Sequence, residues 1–449
     1  RIAEMKVLRA HYYFELSRLF NKIPYFDENV EISQYPDIPN NEFTRDEILS
    51  MLAKEMLDAA EQLPASQPEV GRIHKYIALA YAAKIKLYQA YQQDEITHAV
   101  TSINKELLRE VVSLCDQVTA SNRYGLLDDF QGLDLVTNEN GKESVFAIQY
   151  SMNDGTESAG RINWSNLLNS PGGGSPYGGD GFFLPSQDLI NAYQTDANGL
   201  PDFNYQSKSD YSWAVLNNGV YTLQNTTPNV DPRLDFVVGR PTITWKTYPD
   251  KPCEGWVRDK DTYGYNCAKR FWVSPESSDM FNGWPWGASQ LNWQIIRYAD
   301  ILLWKAEALI ELNEGNGLET ARDLINQIRN RARNSAYVKD FNDHSKYAAN
   351  YLVNPYPADV WNQDYARQAL RWETRLEKAL EGERFFDLVR WGIVETTMNN
   401  YITAESDNRI YYANAHFTGG KDEYYPVPNN QYGFSGGKYV QNPGYAPFN

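Results

Sequence analysis

Cysteine is scarce in this chain. Its three residues, Cys115, Cys253 and Cys267, form no C-x-x-C pair and have no histidine at ligand spacing, which argues against zinc. The five histidines, at positions 11, 74, 98, 344 and 416, make no H-E-x-x-H or equivalent metal motif, so metal-assisted catalysis is not expected. Positive charge is also in deficit: 42 Lys and Arg stand against 58 Asp and Glu, a net charge of −16, with no basic run or stripe to hold nucleic acid. No stretch approaches the roughly 18 unbroken apolar residues of a membrane-spanning helix. A G-x-S-x-G nucleophile elbow is missing as well, which removes the simplest serine-hydrolase reading.

Aromatic side chains, by contrast, are abundant. Twelve Trp, 32 Tyr and 18 Phe make 14% of the 449 residues, while overall hydrophobicity is an ordinary 42%. Length alone is enough for a large core without covalent staples.

The first 120 residues follow a 3.6-residue period. Ile2, Met5, Leu8 and Tyr12 share one stripe, carried on by Tyr13, Leu16 and Phe20 until Pro24. Thr44 and Glu47 have capping-box spacing ahead of Ile48, Leu52, Met56 and Leu63. His74 to Tyr91 is Ala-rich and predicts the second arm of a helical hairpin, and Glu106 to Val118 predicts a helix that buries Cys115. A later hairpin is expected from Tyr298 to Leu312 and Leu318 to Ala332, turning at Asn313 to Gly317. Hairpins of this size are similar to tetratricopeptide repeats.

Between them the character changes. From about residue 125 to 295 Gly, Asn, Pro and Ser rise and helical periodicity fades, with short strands expected at Glu143 to Tyr150 and within Arg233 to Thr247 and a helix at Ser186 to Tyr193. Loops this long inside a compact protein usually carry function. Trp245, Tyr248, Trp256, Tyr263, Trp272, Trp284, Trp286 and Trp293 crowd this segment, interleaved with polar residues including Arg258 and Asp261. Sugar binding uses this mixture: the C–H face of a pyranose packs on a ring while hydroxyls need donors and acceptors. The opposing reading is that most of these rings pack the insertion, with Trp284 and Trp286 the most exposed.

Other patterns carry weaker readings. The Gly-rich run Ser170 to Gly181 has no Walker lysine and reads as a surface loop. Asp250, Glu254, Asp259 and Asp261 lie among the rings, so paired-carboxylate glycoside cleavage stays open as an alternative. Asp196, Asn198 and Asp202 offer oxygens near a turn, short of a full calcium loop, so no cofactor is expected and calcium is the one alternative. In Glu373 to Gly392, Glu373 and Glu377 share a helix face, as do Glu383 and Asp387, with Arg384 in reach of either turn; the expectation is a structural Arg–carboxylate network.

Taken in order, several segments resemble the SusD/RagB family, the surface glycan-binding lipoproteins of Bacteroidetes polysaccharide-utilisation systems. They are Leu8 to Phe20 (LRAHYYFELSRLF) with Ile23-Pro24, Leu184 to Tyr193 with Asp196 and Gly199, Asp231-Pro-Arg-Leu234, Arg297 to Ala308, Glu381 to Gly392, Tyr425 to Pro428 and Gln441 to Tyr445. The resemblance implies a mainly α fold: tetratricopeptide-like helical hairpins in a right-handed superhelical scaffold, with a loop-rich insertion holding a few short strands. Its implied organisation is residues 1–124 as the N-terminal helical part, 125–296 as the ligand-bearing insertion, 297–335 as the last hairpin and 336–449 as the C-terminal segment.

It further implies a non-catalytic protein at the outer-membrane surface that captures oligo- or polysaccharide for a SusC-like TonB-dependent transporter. The expected glycan-binding residues are Trp245, Tyr248, Trp256, Arg258, Asp261, Tyr263, Trp272, Trp284 and Trp286. Residue 1 already reads as helix interior without an N-cap, so further chain upstream is expected, and the resemblance implies that it carries a signal peptide and a lipid-bearing cysteine. Cys253 and Cys267 bracket a loop that a disulfide could close in an oxidising compartment. Peptide capture, as in a RagB-like variant, is the alternative function, with a glycoside hydrolase behind it.

Overall fold

A computed structural model describes residues 1–156, 160–169, 172, 174–212, 214–217, 220–223, 228–248, 253, 255–284 and 286–448. Its frame is a stack of helices. Helices α1 (Ile2–Phe20), α2 (Arg45–Gln62), α3 (Lys75–Ala90) and α4 (Lys105–Ala120) each pack on the next, and α4 then packs on α9 (Tyr298–Leu312), which meets α10 (Gly317–Asn334) and α11 (Gln363–Glu377). The chain leaves this stack after α4 and rejoins it at α9.

Local chemistry explains the boundaries. Thr44 and Glu47 form the capping box that starts α2, the Thr44 amide donating to the Glu47 carboxylate at 2.8 Å. Asn104 caps α4 by accepting from the amides of Glu106 and Leu107. Asn313 ends α9 in the left-handed region at φ 52°, a conformation Asn tolerates. In α3 the alanines at 78, 80, 82 and 83 are fully buried, which lets α2 and α4 close on both sides.

Helix α1 departs from the expected stripe. Its buried face is Ala3, Val7, Ala10 and Phe14, whereas Ile2, Met5 and Tyr12 are exposed. Small residues at the contact allow close approach to α2, so backbone proximity outweighs side-chain size in choosing the inward face.

The insertion is tied at its base by two strands. β3 (Ser144–Ile148) pairs antiparallel with β8 (Trp293–Arg297), Ile148 opposite Trp293, joining the start of the segment to its end. The other pairs are short hairpins or bridges: β1 (Tyr91–Gln93) with β2 (Val100–Ile103), β4 (Ala214–Asn217) with β5 (Val220–Leu223), and β6 (Val238–Gly239) with β7 (Cys267–Ala268). Short helices α5 (Asn166–Asn169), α6 (Gln187–Ala192), α7 (Arg233–Val237) and α8 (Lys260–Tyr263) punctuate the loops, and α12 (Arg384–Arg390), α13 (Val394–Glu405) and α14 (Asn429–Phe434) follow the stack. The strand expected within Arg233 to Thr247 is mostly not one. The Asp231 carboxylate accepts from the Arg233 amide and starts α7 instead, leaving Val238–Gly239 as the one short strand there and Ile243 in an isolated bridge to Asp340.

A buried ionic network locks these parts together. Glu373 accepts from Arg233 at 2.6 Å and Arg329 at 3.1 Å, Glu377 from Arg297 at 3.1 Å and from Arg331, and Glu381 from Arg297 at 2.6 Å and Lys378. Burial pushes the Glu377 carboxyl up, but Arg331, Arg297 and Arg233 outweigh it and hold its pKa at about 2. The expected network is therefore present, with one correction. Arg384 takes no part: apart from the neighbouring Lys378, the cations come from Arg233 and from β8 and α10, elements far away in sequence. Glu383 is instead held by Arg18 and Lys84.

Candidate ligand surface on the aromatic insertion

Without a long helix of its own, the insertion has to build a core from loops, and it does so with rings. Tyr177, Trp245, Trp256 and Trp272 pack with Cys253, Val257 and Cys267 into a buried cluster. Trp245 and Trp256 meet edge to face at 5.0 Å, and Tyr177 lies 4.9 Å from Trp272. The polar tips are satisfied inside: the Trp245 indole donates to the Tyr177 hydroxyl at 2.9 Å, which donates to the Val273 carbonyl at 2.7 Å. Trp245, at 1% exposure, and its neighbours Trp256 and Trp272 thus offer no face to a ligand. Tyr248 is partly buried against the same cluster. For these rings the packing reading prevails.

Other rings stand on top of that core. Trp284 is 61% exposed and Trp286 52%, and Trp284 meets Trp164, itself 43% exposed, edge to face at 5.1 Å and 80°. Trp286 is seated by the glycine-rich loop. Gly178 has φ +65°, and a Cβ there would lie 3.1 Å from that of Trp286, so only glycine lets the loop pass beneath the indole. Gly287 allows the same close approach to Trp272 below. Arg258 reaches that loop from the other side, donating to Asp180 at 2.8 Å and to the Gly179 carbonyl at 3.2 Å.

The loop therefore brings Trp286 and Arg258 to one stretch of backbone, with Phe182 exposed just beyond it. This arrangement supplies flat apolar faces beside an exposed ion pair with hydrogen-bonding capacity. Tyr263, one turn beyond Asp259, ends α8 and tilts against the exposed Tyr411 at 6.2 Å. Asp250, Glu254, Pro285 and the side chain of Asp261 lie outside the described residues.

Sequence reasoning missed Trp164, Phe182 and Tyr411. Trp164 and Phe182 sit in Gly/Asn/Ser-rich stretches, where an isolated ring has no buried period to serve, and that was the available signal. Tyr411 carried none.

Cys253 and Cys267 face each other, as a bridge between them would require, but both are free thiols, hydrogen-bonded and buried. Burial pushes the Cys267 thiol well up, and the neighbouring Cys253 adds to this. The oxygens weighed for calcium have protein partners. Asp196 accepts from the Asn198 and Leu200 amides at 2.8 and 2.9 Å, and Asp202 pairs with Lys208. Among the described residues no group of three or more His, Cys, Asp or Glu side chains is placed to hold a metal, and no helix is long and apolar enough to cross a membrane.

The SusD family's sequence profile matches residues 142–445, a span that contains the whole exposed surface just described. The chain belongs to the SusD family. A SusD-like protein of Bacteroides ovatus is 22% identical over 409 residues, 87% of this chain and 58% of that protein. This SusD-family chain spans about three fifths of the length of the curated relatives it matches. Among solved structures, a SusD-like carbohydrate-binding protein of Bacteroides fragilis superposes with a TM-score of 0.67 at 21% identity, covering 96% of this chain and 78% of that one. A laminarin-binding SusD-like protein does so with a TM-score of 0.61 at 21% identity, covering 99% and 78%. These likenesses establish the mainly helical, tetratricopeptide-like scaffold with its few short strands.

Proposed function

We propose that this SusD-family protein binds oligo- or polysaccharide without cleaving it and hands it to a SusC-like TonB-dependent transporter at the outer-membrane surface, where an N-terminal lipid anchors it. One observation carries the reading: Trp164, Trp284 and Trp286 are held exposed above a closed aromatic core, beside the Arg258–Asp180 pair. Exposing large indoles to water costs hydrophobic free energy, and a sugar face recovers it while hydroxyls bond to the ion pair. The carbohydrate-binding and laminarin-binding relatives support the same ligand class. Of the carboxylates considered for hydrolysis, Asp259 caps the Thr262 amide and hydroxyl, and beside the exposed rings Asp180, which was not among them, is tied to Arg258. Neither stands as a free acid or base, which favours capture over cleavage.

Isothermal titration against soluble plant, microbial and host glycans tests this. A saturable isotherm for one glycan class, without continuing heat, supports capture. Sustained heat with released product would replace it with a hydrolase, and binding of peptides in place of any glycan would replace it with peptide capture.

A further inference from the structure

Between α6, α11, α12 and α13 lies a cavity of about 350 Å³, within the range of small-molecule sites. It shares no lining residue with the tryptophan surface. Leu189, Phe385, Leu388 and Met398 give it apolar walls, and Tyr401 stands on the α13 side. Two arginines enter it. Arg375 is fully engaged: its guanidinium donates to Asp188 at 2.5 Å and to the Tyr205 hydroxyl at 2.8 Å.

Arg384 is different. Its hydrogen bond to the Arg371 carbonyl spans 3.5 Å, and its guanidinium sits 5.9 Å from the Trp391 ring centre. The acids near it are committed to others. Asp387 accepts from Arg390 at 3.0 Å, Glu383 from Arg18 and Lys84, and Asp188 from Arg375. Burial, reinforced by the nearby Arg375 charge, lowers the Arg384 pKa to about 9, a desolvation that the more distant attraction of Asp387 and Asp188 returns only in part.

A guanidinium offers a planar fork of donors that matches a carboxylate in two parallel hydrogen bonds. One positive charge with no direct ion-pair partner suits one negative charge, whereas a phosphate dianion would leave a net charge among apolar walls. We propose that this cavity binds a small amphiphilic carboxylate, its anionic end forked on Arg384 and its apolar body between α6, α12 and α13. This site is independent of the glycan surface.

Octanoate and its uncharged analogue octanamide are the probes, titrated calorimetrically into the full chain. Octanoate should saturate a single site and bind at least about tenfold more tightly than octanamide, the scale of a charge-assisted bidentate contact. Arg384→Gln should remove that preference while leaving octanamide binding unchanged, and Arg384→Lys should restore part of it. Met398→Trp keeps the charge but fills the cavity, and should abolish binding of both probes. The proposal is overturned if the unaltered protein fails to bind octanoate, if octanoate binds no tighter than octanamide, or if binding survives Met398→Trp.

Discussion

Arg233 and Glu373 are 140 residues apart in sequence, yet they meet at 2.6 Å with neither side chain exposed. One belongs to the loop-rich insertion and the other to the helical stack, so this pair fastens the insertion to its scaffold. Arg233 also reaches Glu377 at 3.2 Å and Asp231 at 2.7 Å, and Glu373 also holds Arg329.

Removing one member leaves several buried charges unbalanced. Glu373→Gln should therefore destabilise the protein by about 3–5 kcal/mol, the cost of breaking a buried pair from one side. Urea unfolding checks this, and a loss under about 1 kcal/mol would mean that the network is solvated.

The same network predicts acid sensitivity. The folded pKa of Glu377 is about 2 against an ordinary 4.5, and Glu381 and Glu383 are lowered in the same direction because Arg297 and Arg18, respectively, outweigh burial. A depressed carboxylate stabilises the fold above its unfolded pKa and loses that contribution as pH falls toward its folded one. Their contribution should hold above about pH 4.5 and fall away below it. Burial lowers His98 from 6.5 to about 4, with Lys22 adding to the effect, so stability falls as pH drops from 6.5 toward 4, where the unfolded chain takes up a proton that folded His98 does not. Melting temperature against pH should slope less between pH 6.5 and 4.5 in His98→Asn, since Asn tolerates the left-handed φ of 56° at that position.

Two tryptophans separate binding from folding. Trp284→Ala should weaken glycan binding about tenfold with stability changed by less than about 0.5 kcal/mol, because an exposed ring supports little of the fold. Trp245→Ala should cost about 3–5 kcal/mol in stability through the cavity it leaves. Parallel titration and thermal denaturation compare them; equal binding by Trp284→Ala and the unaltered protein would remove the platform from the site.

Gly178 links backbone geometry to the same surface. Gly178→Val should shift Trp286 and weaken glycan binding several-fold, since a branched side chain at positive φ has neither the conformation nor the space. Retained affinity would show that Trp286 takes no part.

Thiol counting addresses the cysteines. All three are free and buried, and burial pushes Cys115 up to about 12, so a disulfide reagent should react slowly with the native protein and titrate three thiols in denaturant. A count of one would mean that Cys253 and Cys267 are bonded to each other.

Much of the frame was legible because its signals are local. The Thr44–Glu47 box, the alanines of α3 and the Asn313 turn each depend on neighbours within a few residues, and they marked helices where helices stand. The segment order from Leu8 to Tyr445 likewise pointed to the family to which residues 142–445 belong. The inward face of α1 was not legible, because an alanine chosen for close approach looks weaker on a hydrophobic scale than the exposed Ile2 and Met5.

The surface residues divide in the same way. By itself the sequence determined that the insertion is rich in rings, short of helix and flanked by helical hairpins, since composition and periodicity need no long-range information. Only the tertiary structure decided that Trp245, Trp256 and Trp272 turn inward while Trp164, Trp284 and Trp286 face out, and that Arg233 rather than Arg384 closes on Glu373. Burial and ion pairing are properties of what lies opposite a side chain, and here those partners lie 140 residues apart in Arg233 and Glu373 and 365 apart in Arg18 and Glu383.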